Sequence, residues 1–169
     1  VHPKVQVGPF LLPSYGPFFR TLVSHVEVEE PLPSDPRGAQ WLLADGIRRG
    51  ELFISLSDLE DARRFRMRAV LEDGVGAPMG TDVPAQAGVV LRAGFQEGFD
   101  GKVVYRILRN GREVAWVLGP ELEWEPPRAG FYRVEVYTYS GRLGSLFFRL
   151  KPWIFANPIG LVGPGDGTG

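Results

Sequence analysis

The sequence contains no cysteine and only two histidines, His2 and His25. Without cysteine there is no disulfide framework, no thiolate metal site and no cysteine nucleophile, and the redox compartment is left open. The two histidines show no HxH, HxxxH or HExxH spacing, so a metal site with nitrogen ligands cannot be assembled from them without distant carboxylates. Charge of one sign is also missing: 19 Lys and Arg stand against 20 Asp and Glu. The basic footprint needed by a nucleic-acid binder or a polybasic membrane module is absent, and neither partner is implied. No apolar run approaches the roughly 18 residues of a membrane-spanning helix, and Val1-His2-Pro3-Lys4 does not read as a signal peptide. No GxSxG elbow is present to expose a serine nucleophile.

Glycine and proline, in contrast, are plentiful. The 22 Gly and 15 Pro together make 37 of 169 residues, about 22% against roughly 12% in average usage. A disordered chain is excluded, because 44% of residues are hydrophobic and 12% aromatic. Gly and Pro cost about 1 and 3 kcal/mol in helix interiors but turn the chain cheaply between short strands. The expectation is a folded, mainly β protein of one domain, or one domain plus a fragment of another.

The first fifty residues have helical periodicity. Ser14 reads as an N-cap, with Tyr15, Phe18, Phe19 and Leu22 at i, i+3, i+4 and i+7. Val23 to Glu29 reads as a strand, with Val26 and Val28 on one face and Glu27 and Glu29 on the other. Ser34-Asp35-Pro36 opens a second helix, with Ala39, Leu42, Leu43 and Ile47 on one side and Arg48, Arg49 and Gly50 at its end. Glu51 to Leu56 follows as a strand, completing a strand–helix–strand run typical of α/β proteins.

From about residue 60 the period becomes two. Phe65, Met67, Ala69 and Leu71 alternate with Arg64, Arg66, Arg68 and Val70. Further strands are expected at Gly88 to Ala93, Lys102 to Arg109, Arg112 to Leu118, Glu121 to Glu125, Phe131 to Thr138, Ser145 to Leu150 and Ile154 to Val162. Asn110-Gly111 is a hairpin turn signal, because both residues accept positive φ. This spacing predicts an immunoglobulin-like β-sandwich over 59–162, preceded by an α/β segment over 1–58 and followed by a flexible tail over 163–169.

Little catalytic chemistry is legible. His25, beside Val26 in a strand, reads as structural. Gly160, Gly163 and Gly165 could suggest a phosphate cradle, but no helix follows them, so they read as tail. The Arg64, Arg66, Arg68 stripe could grip an anion and reads better as a solvated sheet face. Trp41, Trp116, Trp124 and Trp153, with five Tyr, could form a sugar-stacking platform, although alternating aromatics usually fill cores.

Several segments together carry a resemblance. His2, Pro13-Ser14-Tyr15, Phe19-Arg20-Thr21, Ser24-His25-Val26, Pro31-Leu32 and the helix ending Ile47-Arg48-Arg49-Gly50 are similar to the last portion of the PHP domain, named for polymerases and histidinol phosphatases. Ala77-Pro78-Met79-Gly80, Leu108 through Ala115, Gly130 through Val136 and especially Lys151-Pro152-Trp153-Ile154-Phe155-Ala156-Asn157-Pro158-Ile159 resemble the β-domain that follows the barrel in stand-alone PHP-type hydrolases of the CehA/McbA group. The resemblance runs from residue 2 to about 162 and covers only the end of the family's length.

It implies a divalent metal cluster (Zn, Mn or Fe) whose bound hydroxide attacks a phosphoester or related bond. Val1-His2 matches the last two positions of an Asp-x-His ligand motif, so His2 would be a metal ligand. Most other ligands would lie upstream, in a barrel that would be this chain's partner. The chain alone is then expected to be a non-catalytic accessory domain that carries no metal by itself, with residues 14–50 pairing two copies as a homodimer. The alternative is an independent sandwich module that binds carbohydrate or protein through exposed aromatics.

Overall fold

In the computed structural model, residues 6–7, 10–11, 21–28, 30–56, 59–96 and 99–163 are described. The elements in chain order are β1 (Gln6–Val7), β2 (Phe10–Leu11), β3 (Leu22–Val26), α1 (Pro36–Arg49), β4 (Leu52–Leu56), β5 (Phe65–Val70), β6 (Gly76–Pro78), β7 (Asp82–Pro84) and β8 (Val90–Phe95). Then come β9 (Val103–Arg109), β10 (Arg112–Leu118), β11 (Leu122–Trp124), β12 (Gly130–Thr138), β13 (Gly141–Leu143), β14 (Leu146–Phe148), β15 (Lys151–Ala156) and β16 (Ile159–Val162). The chain is mainly β, as the glycine and proline content implies. The helix expected from Ser14 lies mostly outside the described residues, as does most of the tail, but its last position, Leu22, belongs to β3 instead.

Two sheets enclose the core. A four-stranded sheet runs β11-β8-β5-β6, and an eight-stranded sheet runs β10-β9-β12-β15-β4-β3, with β16 and β7 attached beside β12. From β5 the alternate residues Phe65, Met67 and Ala69 are fully buried, and Leu91, Ala93 and Phe95 of β8 join them. Tyr105, Ile107, Tyr132, Val134, Val136 and Ile154 face them from the larger sheet. Trp153 stacks on Phe95 at 4.9 Å and donates its indole N–H to the Glu60 carbonyl at 3.3 Å. A buried indole thereby keeps its polar end satisfied.

Local chemistry explains several boundaries. Asp35 caps α1, accepting the backbone N–H groups of Arg37 and Gly38 at 3.0 and 2.9 Å. Arg48 and Arg49 fill the last turn, and Gly50 ends it in the left-handed region at φ 76. Asn110 and Gly111, at φ 50 and 77, form the two-residue turn between β9 and β10.

Some expectations are corrected. The strand–helix–strand run does not make a parallel crossover: β3 and β4 pair antiparallel, Leu22 opposite Leu56 and Val26 opposite Leu52. Both strands continue the sandwich sheet, because β4 hydrogen-bonds to β15. Ile47 does not join the packed side of α1. It is 56% exposed, while Gly46, the helix's one buried residue, meets Val26. The strand expected over Ile154 to Val162 is two strands broken at Asn157-Pro158: β15 pairs with β4 and the C-terminal half of β12, and β16 with β7 and the N-terminal half of β12. The strand expected over residues 145–150 is shorter, covering only three of them. Leu146–Phe148 returns on Gly141–Leu143 as a hairpin.

Candidate functional site

The outer face of the eight-stranded sheet carries a continuous cross-strand row. Ile54 lies opposite Phe155, Phe155 opposite Glu135, Glu135 opposite Arg106 and Arg106 opposite Trp116. Glu135 is buried and collects three donors: Arg133 at 2.8 Å, the Tyr137 hydroxyl at 3.0 Å and Arg106 at 3.2 Å. Arg106 also donates from Nε to Glu113 at 2.9 Å, and its guanidinium lies 5.8 Å from the Trp116 ring centre. Trp116, 40% exposed, is 5.4 Å from Tyr137.

Glu113 and Trp116 share this face because of an irregularity in β10. Glu113 pairs with Leu108 and Ala115 with Ile107, so Val114 is an extra residue in the ladder. The bulge restores the side-chain alternation that a spacing of three would otherwise break. The Trp116 side chain, then Arg106, stabilises ionised Glu113 and lowers its pKa. Tyr137 moves the other way, pushed up chiefly by burial. The result is an aromatic pair held rigidly by an arginine–carboxylate network, which suits binding better than proton transfer, since Glu135 already serves three donors.

A second arrangement joins a base to a hydroxyl. His25 Nε2 is 2.8 Å from Ser55 Oγ, and the imidazole stacks on Phe53 at 4.5 Å. Burial lowers the His25 pKa; the nearby Asp61 carboxylate opposes it less strongly and the Arg63 cation adds to it. Ser55 is 1% exposed, so no substrate carbonyl reaches its hydroxyl. Asp61 is held by Arg63 through contacts of 2.7–3.1 Å. The pair is structural, as the sequence reading of His25 has it.

The arginine stripe is not a plain solvated face. Arg66 and Arg68 both reach Glu27, Arg66 from Nε at 3.2 Å. Glu27, expected with Glu29 on one face of a strand, lies just past the end of β3 with its side chain 4% exposed, and its Oε2 has no hydrogen-bond partner. Beside it a groove of about 270 Å³ is lined by Arg66, Arg68, Arg92, Gln96 and Glu121.

The tryptophans separate: Trp153 is core, Trp124 half-buried against Tyr132, Trp116 on the open face and Trp41 65% exposed on α1. His2 lies outside the described residues, and among those described no three His, Cys, Asp or Glu side chains converge to hold a metal. Gly160 does not open a loop; it is a β16 residue paired with Asp82 of β7. Neither Glu27 nor the Glu113–Trp116 pair was marked by sequence, since one sits at a strand end and the other depends on a bulge. Compared with known proteins, the chain matches no family model, no curated protein and no solved structure.

Proposed function

We propose that this chain is the accessory domain of a PHP-type metal-dependent hydrolase, non-catalytic by itself, and that its sandwich is immunoglobulin-like. The strand order supports the second part: β7-β16-β12-β9-β10 lies in one sheet and β11-β8-β5 in the other. Tyr132, near the start of β12, donates its hydroxyl to the Arg128 carbonyl at 2.7 Å, in the manner of a tyrosine corner.

The observation that carries the first part is where apolar surface lies. Around β3, α1 and β4, Leu22 is 53%, Leu32 49%, Trp41 65% and Ile47 56% exposed. Four exposed apolar side chains on β3, α1 and the loop between them leave surface for another body to cover. The upstream barrel is the proposed cover. In the chain alone, residues 14–50 pair two copies. His2 is proposed to belong to the barrel's ligand set, where a divalent Zn, Mn or Fe would supply the attacking hydroxide. The described residues do not make such a site by themselves.

The test is the coding sequence immediately 5′ of the Val1 codon. An in-frame stretch encoding HxH and ending in Gly-x-Asp, expressed with this chain, is expected to yield a metal-containing protein that hydrolyses bis(p-nitrophenyl) phosphate, while the chain alone is inactive. An in-frame stop directly before Val1 overturns the reading. Sedimentation showing only monomer, with fast amide exchange throughout residues 14–50, overturns the pairing.

The exposed Trp116 favours a second reading, an independent module whose Trp116–Tyr137 pair stacks on a sugar ring. A glycan screen that finds a ligand lost in Trp116→Ala supports it, and uniform silence removes it.

A further inference from the structure

The hairpin of β13 and β14 connects β12 to β15 and carries the most exposed large apolar residue among those described. Leu143 is 72% exposed, Leu146 58%, Phe148 47% and Leu150 37%. Leu143 and Leu146 are cross-strand partners on either side of Gly144-Ser145, where Gly144 has φ 58. The hairpin is held in place at its base. Ser140 donates from its backbone N–H and its hydroxyl to the Phe148 carbonyl at 3.0 and 3.2 Å, and Tyr139 meets Phe147 edge-on at 5.0 Å.

The charge the hairpin itself carries, along its strands and at its exit, has one sign. Arg142, Arg149 and Lys151 belong to the hairpin and its exit, and Lys102 donates from Nζ to the Ser140 carbonyl at 3.2 Å. From Tyr139 to Pro152 there is no Asp or Glu. Of the nearby carboxylates, Glu60 shares a cleft with Arg149 and Lys151, and Asp61 is taken by Arg63. Cations are therefore gathered here in a chain whose total charge is −1.

We propose that this hairpin docks the protein on an anionic lipid surface, with Leu143 and Leu146 entering the interface and Arg142, Arg149, Lys151 and Lys102 lying among the headgroups. The cationic collar selects a negatively charged partner and disfavours a second copy meeting it tip to tip. A deformable bilayer accepts a protruding pair of leucines without needing a pocket of matching shape. Two leucines hold only weakly, so the attachment depends jointly on the apolar tip and on the charge. The absence of a net basic charge, which argues against a membrane partner at the level of composition, does not bear on a local cluster.

The test is sedimentation of the whole chain with vesicles of phosphatidylcholine, with and without phosphatidylserine. Binding is expected only with phosphatidylserine, weakening about tenfold when Arg142 and Lys151 are both changed to Gln and falling further as salt rises. The double variant Leu143→Asp/Leu146→Asp is expected to stay unbound while keeping the parent's melting temperature, since both side chains are exposed. Equal binding to both vesicles, binding that survives the double Asp variant, or no binding to either overturns the proposal. Capture of the chain by immobilised polyglutamate in the absence of vesicle binding also overturns it and points to an acidic protein instead.

Discussion

Asn157 donates from Nδ2 to the Gly50 carbonyl oxygen at 3.0 Å, across 107 residues of chain. Its backbone N–H reaches the Leu52 carbonyl at 3.2 Å, and the Pro158 carbonyl accepts the Gly80 N–H at 2.9 Å. The end of α1, the turn before β7 and the break between β15 and β16 are thereby tied at one point. The Asn-Pro of the closing motif has a physical role: proline ends one strand without leaving a buried N–H unpaired, and asparagine supplies donors to two neighbouring segments.

Gly80 is the tightest point of this junction. Its φ is +80, and a Cβ there would lie 2.0 Å from the Arg49 carbonyl oxygen. Gly80→Ala is expected to cost about 3 kcal/mol or more, combining backbone strain with a displaced helix end. Gly74 has a similar φ of +82 and nothing within 4 Å, so Gly74→Ala is expected to cost only about 1 kcal/mol. Urea denaturation of the two variants side by side checks the difference.

Asn157→Ala removes the side-chain donor to Gly50, whose carbonyl keeps only the Leu52 N–H at 2.8 Å. A loss of about 0.5–1.5 kcal/mol is expected, with faster amide exchange concentrated at the end of α1 and the start of β4. Uniformly unchanged exchange there would show that the bond does not anchor the helix.

Glu27→Gln leaves Arg66 and Arg68 without their shared carboxylate. Both arginine side chains keep some contact with water, at 31% and 25% exposure, so the expected cost is about 1–3 kcal/mol, below that of breaking a fully buried pair. Thermal melts of Glu27→Gln and of Arg66→Gln/Arg68→Gln in a double-mutant cycle measure the coupling. Independent effects would refute it.

His25 gives the stability a pH dependence. Burial is the main reason its pKa lies below the ordinary 6.5, so between the two values the unfolded chain binds more protons than the folded one. Stability then rises with pH through that window, declines as pH falls below about 6.5 and is level above about 7.5. Denaturation midpoints across this range in the parent and in His25→Gln check it, the variant being expected to lose the slope that belongs to this group.

Much of the local structure was readable in advance because it depends on short-range chemistry. Asp35 ahead of Pro36 marks a helix start, Gly50 after Arg48-Arg49 its end, and Asn110-Gly111 a turn, since each is set by the backbone freedom or hydrogen-bonding reach of a few adjacent residues. The alternation of Phe65, Met67 and Ala69 with arginines marked the buried side of β5 for the same reason. The other side was misjudged because Glu27, 41 positions from Arg68, comes to it only through the folding of β3 against the sandwich.

Composition, turn chemistry and period-two patterning therefore suffice to determine a mainly β chain with a capped helix at the end of its first fifty residues. Pairing is a different matter: which strands share a sheet depends on contacts between distant segments, and a period-two pattern is the same whichever neighbour a strand acquires. Only the tertiary structure joins β4 to β15, seals Ser55 against His25, lets the bulge at Val114 bring Glu113 beside Trp116, and brings Lys102 to the base of the hairpin that carries Leu143 and Leu146. Charge and apolarity are additive along a sequence, but what they do depends on where they are gathered in space.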